Sequence, residues 1–241
     1  MLFRSNIEHI PHSIKNLICK DLTPRDYTNL HEGLELLSIN LYPRCTVNCP
    51  SSLKTLNIEL QNIISLKKNY TINLNENLER LAIIGNCVHI PILNKNLKTF
   101  SYQSYYKDYN DDDKKKKLTK KFKKLLQCIL EKLKPCYEMI EEIILDFPSK
   151  TFTDYNEYFE IFSQFIRNCP KLTLLIIPLN IEFYMNNNQT VLLDKIKANI
   201  PLEQYNELKI NYNIQVPNVY NDNVYTVRNG LCECIDYTYS Y

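Results

Sequence analysis

The strongest constraint on this chain is a recurring spacing of apolar residues at the first, fourth and sixth places of a short unit. It is clearest at Leu78-Glu79-Arg80-Leu81-Ala82-Ile83-Ile84-Gly85-Asn86-Cys87-Val88, which reads L-x-x-L-x-I-x-x-N-x-V. In extended backbone the fourth and sixth places share one side, because successive side chains alternate. The same places recur as Ile14-Leu17-Cys19, Leu34-Leu37-Ile39, Leu53-Leu56-Ile58 and Leu97-Phe100-Tyr102. They return as Ile140-Ile143-Leu145, Leu172-Leu175-Ile177 and, more faintly, Tyr205-Leu208-Ile210. First places fall 19 to 25 residues apart up to Leu97 and 32 to 43 apart after it. A unit this short cannot bury its apolar edge alone, so the units must stack.

Two of the short units carry the same lead-in, Pro11-His12-Ser13-Ile14-Lys15-Asn16-Leu17 and Pro50-Ser51-Ser52-Leu53-Lys54-Thr55-Leu56. Proline fixes φ and lacks a donor, which suits the approach to a strand rather than its interior. Asn86 is expected to turn the chain out of the strand, its amide bonding backbone groups that the bend leaves unpaired. With its P-x-S-L-K-x-L phrase, the stretch 8–104 resembles the short leucine-rich repeats of FNIP-type and bacterial LPX-type proteins. The later units resemble the larger, helix-containing leucine-rich repeats. The resemblance implies an α/β fold: a leucine-rich-repeat solenoid whose curved parallel sheet carries loops and helices on its convex side.

The expected layout is a single domain over 1–241. Short repeats occupy 8–104, a charged loop 105–117, long repeats 118–215 and a C-terminal cap 216–241. The loop reading rests on Tyr105 to Asp113 and the lysines that follow, a charge-blocked stretch almost without aliphatics. Leu118, Phe122, Leu125, Leu126, Ile129 and Leu133 then form one helical stripe, ended by Pro135. Asp154 and Glu157 read as a capping box for a second helix. Its apolar face is Tyr155, Tyr158, Phe159, Phe162, Phe165, Ile166 and Cys169, and Pro170 stops it. A weaker helix is expected over 190–200. Asn229-Gly230 between two apolar runs predicts a hairpin, since that pair accepts the positive φ values of a two-residue turn.

Composition narrows the function. Lys and Arg number 29 against 27 Asp and Glu, a balance that argues against a nucleic-acid binder. No apolar run reaches the ~20 residues of a membrane span, and the first residues lack the apolar run of a signal peptide. A cytoplasmic protein with reduced cysteines is expected, and the default for Cys19, Cys87, Cys128 and Cys169 is a small buried hydrophobe. Only three glycines occur, Gly33, Gly85 and Gly230, so no glycine-rich phosphate loop can form and no cofactor is expected. The Cys45/Cys49 and Cys232/Cys234 spacings are not those of a zinc site. His9 and His12 echo Cys87 and His89, but three repeats at ~4.8 Å each would hold them ~14 Å apart. No nucleophile motif is present, and no enzyme is expected.

Lys114, Lys115, Lys116 and Lys117 read either as a nuclear-import patch, which would add a nuclear location, or as the solvated face of a helix. On the outward face of the strands one column is Asn16, Leu36, Thr55, Arg80, Thr99, Glu142, Leu174 and Glu207. The next is Ile18, Ser38, Asn57, Ala82, Ser101, Ile144, Ile176 and Lys209. Ile144, Leu174 and Ile176 would form an apolar patch on neighbouring strands, with Arg80, Glu142 and Asp146 giving polar selectivity. Such a patch is either a contact surface for a protein partner or is covered by loop, tail or a second layer. The sequence thus points to a non-enzymatic scaffold binding a protein on its concave face; the alternative is a substrate-recruiting adaptor of a ubiquitin ligase.

Overall fold

The computed structural model describes residues 10–19, 27–42, 45–60, 70–85, 90–104, 112–146, 156–179, 209–214, 224–228 and 231–235. The chain divides into two compact units, residues 1–105 with 131–140, and residues 106–130 with 141–241.

The first unit contains β1 (Asn16–Cys19), β2 (Leu36–Leu41), β3 (Thr46–Asn48), β4 (Thr55–Leu60), β5 (Thr71–Asn73), β6 (Arg80–Ile84) and β7 (Thr99–Gln103). Strands β1, β2, β4, β6 and β7 pair in that order, all parallel, while β3 and β5 form a small parallel sheet of their own. Among the described residues β1 and β7 do not pair with each other, so these strands do not close into a barrel. The strands form because their sequences alternate. In Thr55-Leu56-Asn57-Ile58-Glu59-Leu60 the three aliphatics are buried and the polar residues between them are half-buried. The registers align every fourth and sixth place, Leu37 with Leu56, Leu81 and Phe100, and Ile39 with Ile58, Ile83 and Tyr102. First places Leu34, Leu53, Leu78 and Leu97 are wholly buried. Each contributes on the order of 2 kcal/mol of apolar burial. At the first strand the core thins: Ile14 and Leu17 are only half-buried.

Two devices set the repeat distance. The second-place carbonyl of each unit accepts two amides from the next. Lys15 O takes Glu35 N and Leu36 N at 2.8 and 3.0 Å, and Glu35 O, Lys54 O and Glu79 O repeat the pattern. A tight turn precedes β1, β2, β4, β6 and β7, and in the later turns an asparagine holds it. Asn75 Nδ2 donates to Pro50 O and to Leu53 O, and Asn94 Nδ2 donates to Asn75 O and Leu78 O at 2.7 and 3.2 Å. Each also closes its own turn, with Asn77 N on Asn75 Oδ1 and Asn96 N on Asn94 Oδ1. These asparagines stand three residues before the first place, the position held by Pro11 and Pro50 in the proline-led units. Asn86, expected to make the turn, lies outside the described residues.

The second unit contains β8 (Glu142–Asp146), β9 (Leu174–Leu179) and β10 (Lys209–Ile214), paired parallel, then β11 (Val224–Arg228) and β12 (Leu231–Ile235), antiparallel. Its junction repeats that of the first unit: Glu141 O accepts Thr173 N and Leu174 N at 2.8 and 3.1 Å. With its helices the chain is α/β and built mostly on parallel strands. Helix α1 (Asp112–Leu133) begins six residues before the expected Leu118, so Lys114 to Lys117 are helical rather than loop. The sequence explains the earlier start: lysine is a good helix former, and Asp112 and Asp113 suit the positive end of the helix dipole. The stripe Phe122, Leu125, Leu126, Ile129 and Leu133 is buried as expected, and a 3₁₀ turn at Lys134–Cys136 follows with Pro135 inside it. Helix α2 (Asn156–Asn168) buries Phe162, Phe165 and Ile166, with Cys169 buried just beyond its end. Its expected cap at Asp154, and the helix expected at 190–200, lie outside the described residues. Among the described residues no helix is long and apolar enough to cross a membrane.

Arg228 pairs with Leu231 in an antiparallel hairpin, as the sequence predicts, and Asn229-Gly230 themselves lie outside the described residues. The hairpin adds to β10 through Tyr212 and Val227. Without it β10 would present a row of unpaired amides and carbonyls, a template for intermolecular pairing. Deleting residues 217–241 is therefore expected to give protein that aggregates on expression. A monomeric, cooperatively unfolding truncation by light scattering and urea titration would show that the hairpin does not serve this purpose.

Candidate functional site

The two outward columns are in register within each unit. Asn16, Leu36, Thr55, Arg80 and Thr99 lie side by side, as do Ile18, Ser38, Asn57, Ala82 and Ser101. This face is mostly small and polar, with Asn16 and Arg80 exposed and Ile18 exposed to 64% on β1.

In the second unit Glu142 pairs with Leu174 and Ile144 with Ile176, so the expected apolar neighbours do meet. Leu174 and Ile144 are half-buried, whereas Ile176 is 7% exposed. Only two of the three side chains thus offer surface. The last strand differs from expectation by two residues: Lys209 pairs with Leu174, and Asn211 with Ile176. The physical reason is alternation. Ile210, Tyr212 and Ile214 match Leu175, Ile177 and Leu179 in this register, and a shift of two keeps every residue on its original side. The apolar pair Ile144 and Ile176 is consequently bounded on β10 by Asn211. Glu142 and Asp146 flank Ile144 on β8, both half-buried and both engaged in polar or electrostatic interactions. Arg80 belongs to the first unit, on β6 between Thr55 and Thr99. Lys114 to Lys117 lie in α1.

Several features escaped the sequence reading. The second places alternate in charge, Lys15, Glu35, Lys54, Glu79 and Lys98, with ion pairs Lys15–Glu35 at 2.9 Å and Lys98–Glu79 at 3.1 Å. Lys15 beside Glu35 holds that carboxyl below its ordinary range. Both pairs are exposed to solvent and add little to stability. Glu32 accepts from Ser51 N, Ser51 Oγ and Ser52 N, bonds that hold its carboxyl below its ordinary range too. His12 and His31, on successive turns, meet edge to face at 5.0 Å. The signal for the ion pairs and for Glu32 with Ser51 is the repeat itself, since residues at one place in consecutive units become neighbours; His12 and His31 stand one place out of step.

Three of the described thiols are held in the protonated form by burial. Burial pushes Cys49 and Cys136 up to about 12, and that of Cys19 is raised for the same reason, so none is a ready nucleophile. Among the described residues no group of three or more His, Cys, Asp or Glu is placed to hold a metal ion; His9, Cys87 and His89 lie outside them. A groove of about 620 Å³ runs along residues 70–74 and 91–94 of the first unit. Comparison with protein-family models, with curated proteins and with solved structures returned no match.

Proposed function

We propose that the chain is a leucine-rich-repeat solenoid serving as a non-enzymatic scaffold, which binds a protein partner on the concave face of its sheet. The repeat reading is supported by the matching backbone junctions at Lys15, Glu35, Lys54, Glu79 and Glu141, and by the asparagine ladder from Asn75 to Asn94. The binding reading is carried by one observation: Ile144 and Leu174 stay half-exposed on adjacent strands although their neighbour Ile176 is covered. Apolar surface of this kind between polar flanks is typical of contact sites.

The test uses Ile144→Asp and Leu174→Asp, because a charge at the buried Ile176 would unfold the protein instead. Each variant is expected to retain the wild-type circular dichroism and urea midpoint within about 1 kcal/mol. Each should lose a partner that the wild type retains from native lysate, as read by quantitative mass spectrometry. Undiminished capture of the same partner by both variants would remove this patch from the binding surface.

A further inference from the structure

Among the described residues the small sheet of the first unit ends at β5, beside the groove along residues 70–74 and 91–94. Strand β3 is paired on both sides, with Tyr27 bridging Val47 on one and β5 on the other. Among the described residues strand β5 is paired on one side only. Thr71 N donates to Cys45 O at 3.1 Å and Asn73 O accepts from Cys49 N at 3.0 Å, so residues 71 and 73 bond to β3. In a parallel pair alternate residues direct their main-chain groups to opposite edges, and Ile72 therefore turns its N–H and C=O away from β3. The segment 91–94 opposite is not a strand, and its Ile92 is 78% exposed, more than any other large apolar residue among those described. Ile72 and Leu74 are half-buried along the same groove. None of the described residues that line it is charged.

We propose that this groove takes a short extended peptide from a partner protein, adding as a strand to the edge of β5, with alternate uncharged apolar side chains against Ile72, Leu74 and Ile92. Backbone pairing supplies the register, and the period of two in a strand supplies the selectivity. A second copy of this chain is disfavoured by size. Three residues of edge measure about 10 Å, too little to bury the roughly 1,000 Å² that a stable interface between two folded chains requires. The site is separate from the patch at Ile144 and does not depend on it.

The probe is an end-capped Val-Thr-Val-Thr-Val peptide, titrated into the full chain and followed by amide exchange and by heteronuclear NMR. Saturation is expected to slow exchange of the Ile72 amide while Thr71 and Asn73, already bonded to β3, stay unchanged. A backbone N-methylated version of the peptide should lose binding, and Ile92→Lys should weaken it about tenfold or more. Ile92→Lys should not alter the urea midpoint because the side chain is solvated, and Ile92→Ser provides the same comparison. Three results would overturn the proposal: no binding of the capped peptide, an unperturbed Ile72 amide at saturation, or equal binding of the N-methylated peptide. A native-mass dimer that Ile92→Lys dissociates would overturn it as well, assigning the groove to a second copy.

Discussion

Gly85→Ala is expected to be the most damaging single-methyl change in the first unit, costing roughly 2–5 kcal/mol of stability. Gly85 closes β6 with φ at +147°, a backbone conformation that L side chains rarely adopt. A methyl group there would stand 2.6 Å from Leu60 Cβ and 3.2 Å from Leu60 O, so relief requires β4 itself to move. That movement has no slack, because Gly85 is held from the other side. Its N–H donates to Gln103 O at 2.7 Å, and its carbonyl accepts from the buried Tyr102 hydroxyl at 2.9 Å. Strands β4, β6 and β7 thus meet at one residue without a side chain. Urea unfolding of Gly85→Ala against wild type measures the cost. Gly33→Ala is the comparison: its φ is also positive, at +103°, but a methyl there meets nothing closer than 3.7 Å. A loss at Gly85 no larger than that at Gly33 would mean that contact with Leu60 is not the source.

Where the sequence was legible, the reason was periodicity. Apolar residues at the fourth and sixth places decided the strands and, within each unit, their registers, since one buried side per strand leaves little choice. The hairpin of β11 and β12 was equally readable, because Asn-Gly is among the few dipeptides that favour a two-residue turn. At β10 the reading slipped by two: Leu208-Ile210 and Ile210-Tyr212-Ile214 share the same alternation, and only the number of matched apolar places separates them. The start of α1 was missed because a charge-blocked stretch carries no apolar period, whatever its helix propensity. The candidate site was half legible. The pairing of Ile144 with Ile176 followed from the repeat, but the covering of Ile176 depends on its surroundings, which no local pattern encodes. The groove at β5 was invisible for the same reason: it exists because the next segment, at 91–94, does not form a strand.

The asparagine ladder shows how much of the stack depends on side-chain amides that a pattern of leucines does not reveal, and Asn75→Ala is expected to cost about 2–3 kcal/mol. The half-buried Asn75 makes three bonds at once: two from Nδ2 to the carbonyls of Pro50 and Leu53 in the previous turn, and one from Asn77 N to Oδ1 in its own. Alanine leaves two carbonyls and one amide without these partners where water has limited access. Asn75→Asp divides the effect. A carboxylate still accepts from Asn77 N but cannot donate, and it sets a negative charge against the Pro50 and Leu53 carbonyls. It should therefore destabilise at least as much as alanine, although aspartate is ordinarily good in such a turn. If the turn alone mattered, Asp would rescue most of the loss. Urea midpoints of the two variants distinguish these cases, and amide exchange at Asn77 reports whether the turn survives. Asn94 repeats the arrangement one unit later, donating to Asn75 O and Leu78 O. Because Asn94 bonds to the main chain of Asn75 itself, the double variant is expected to lose less than the sum of the singles, a non-additivity of about 0.5–1 kcal/mol in a double-mutant cycle. Strict additivity would mean that the two turns are held independently and that the ladder does not couple neighbouring units.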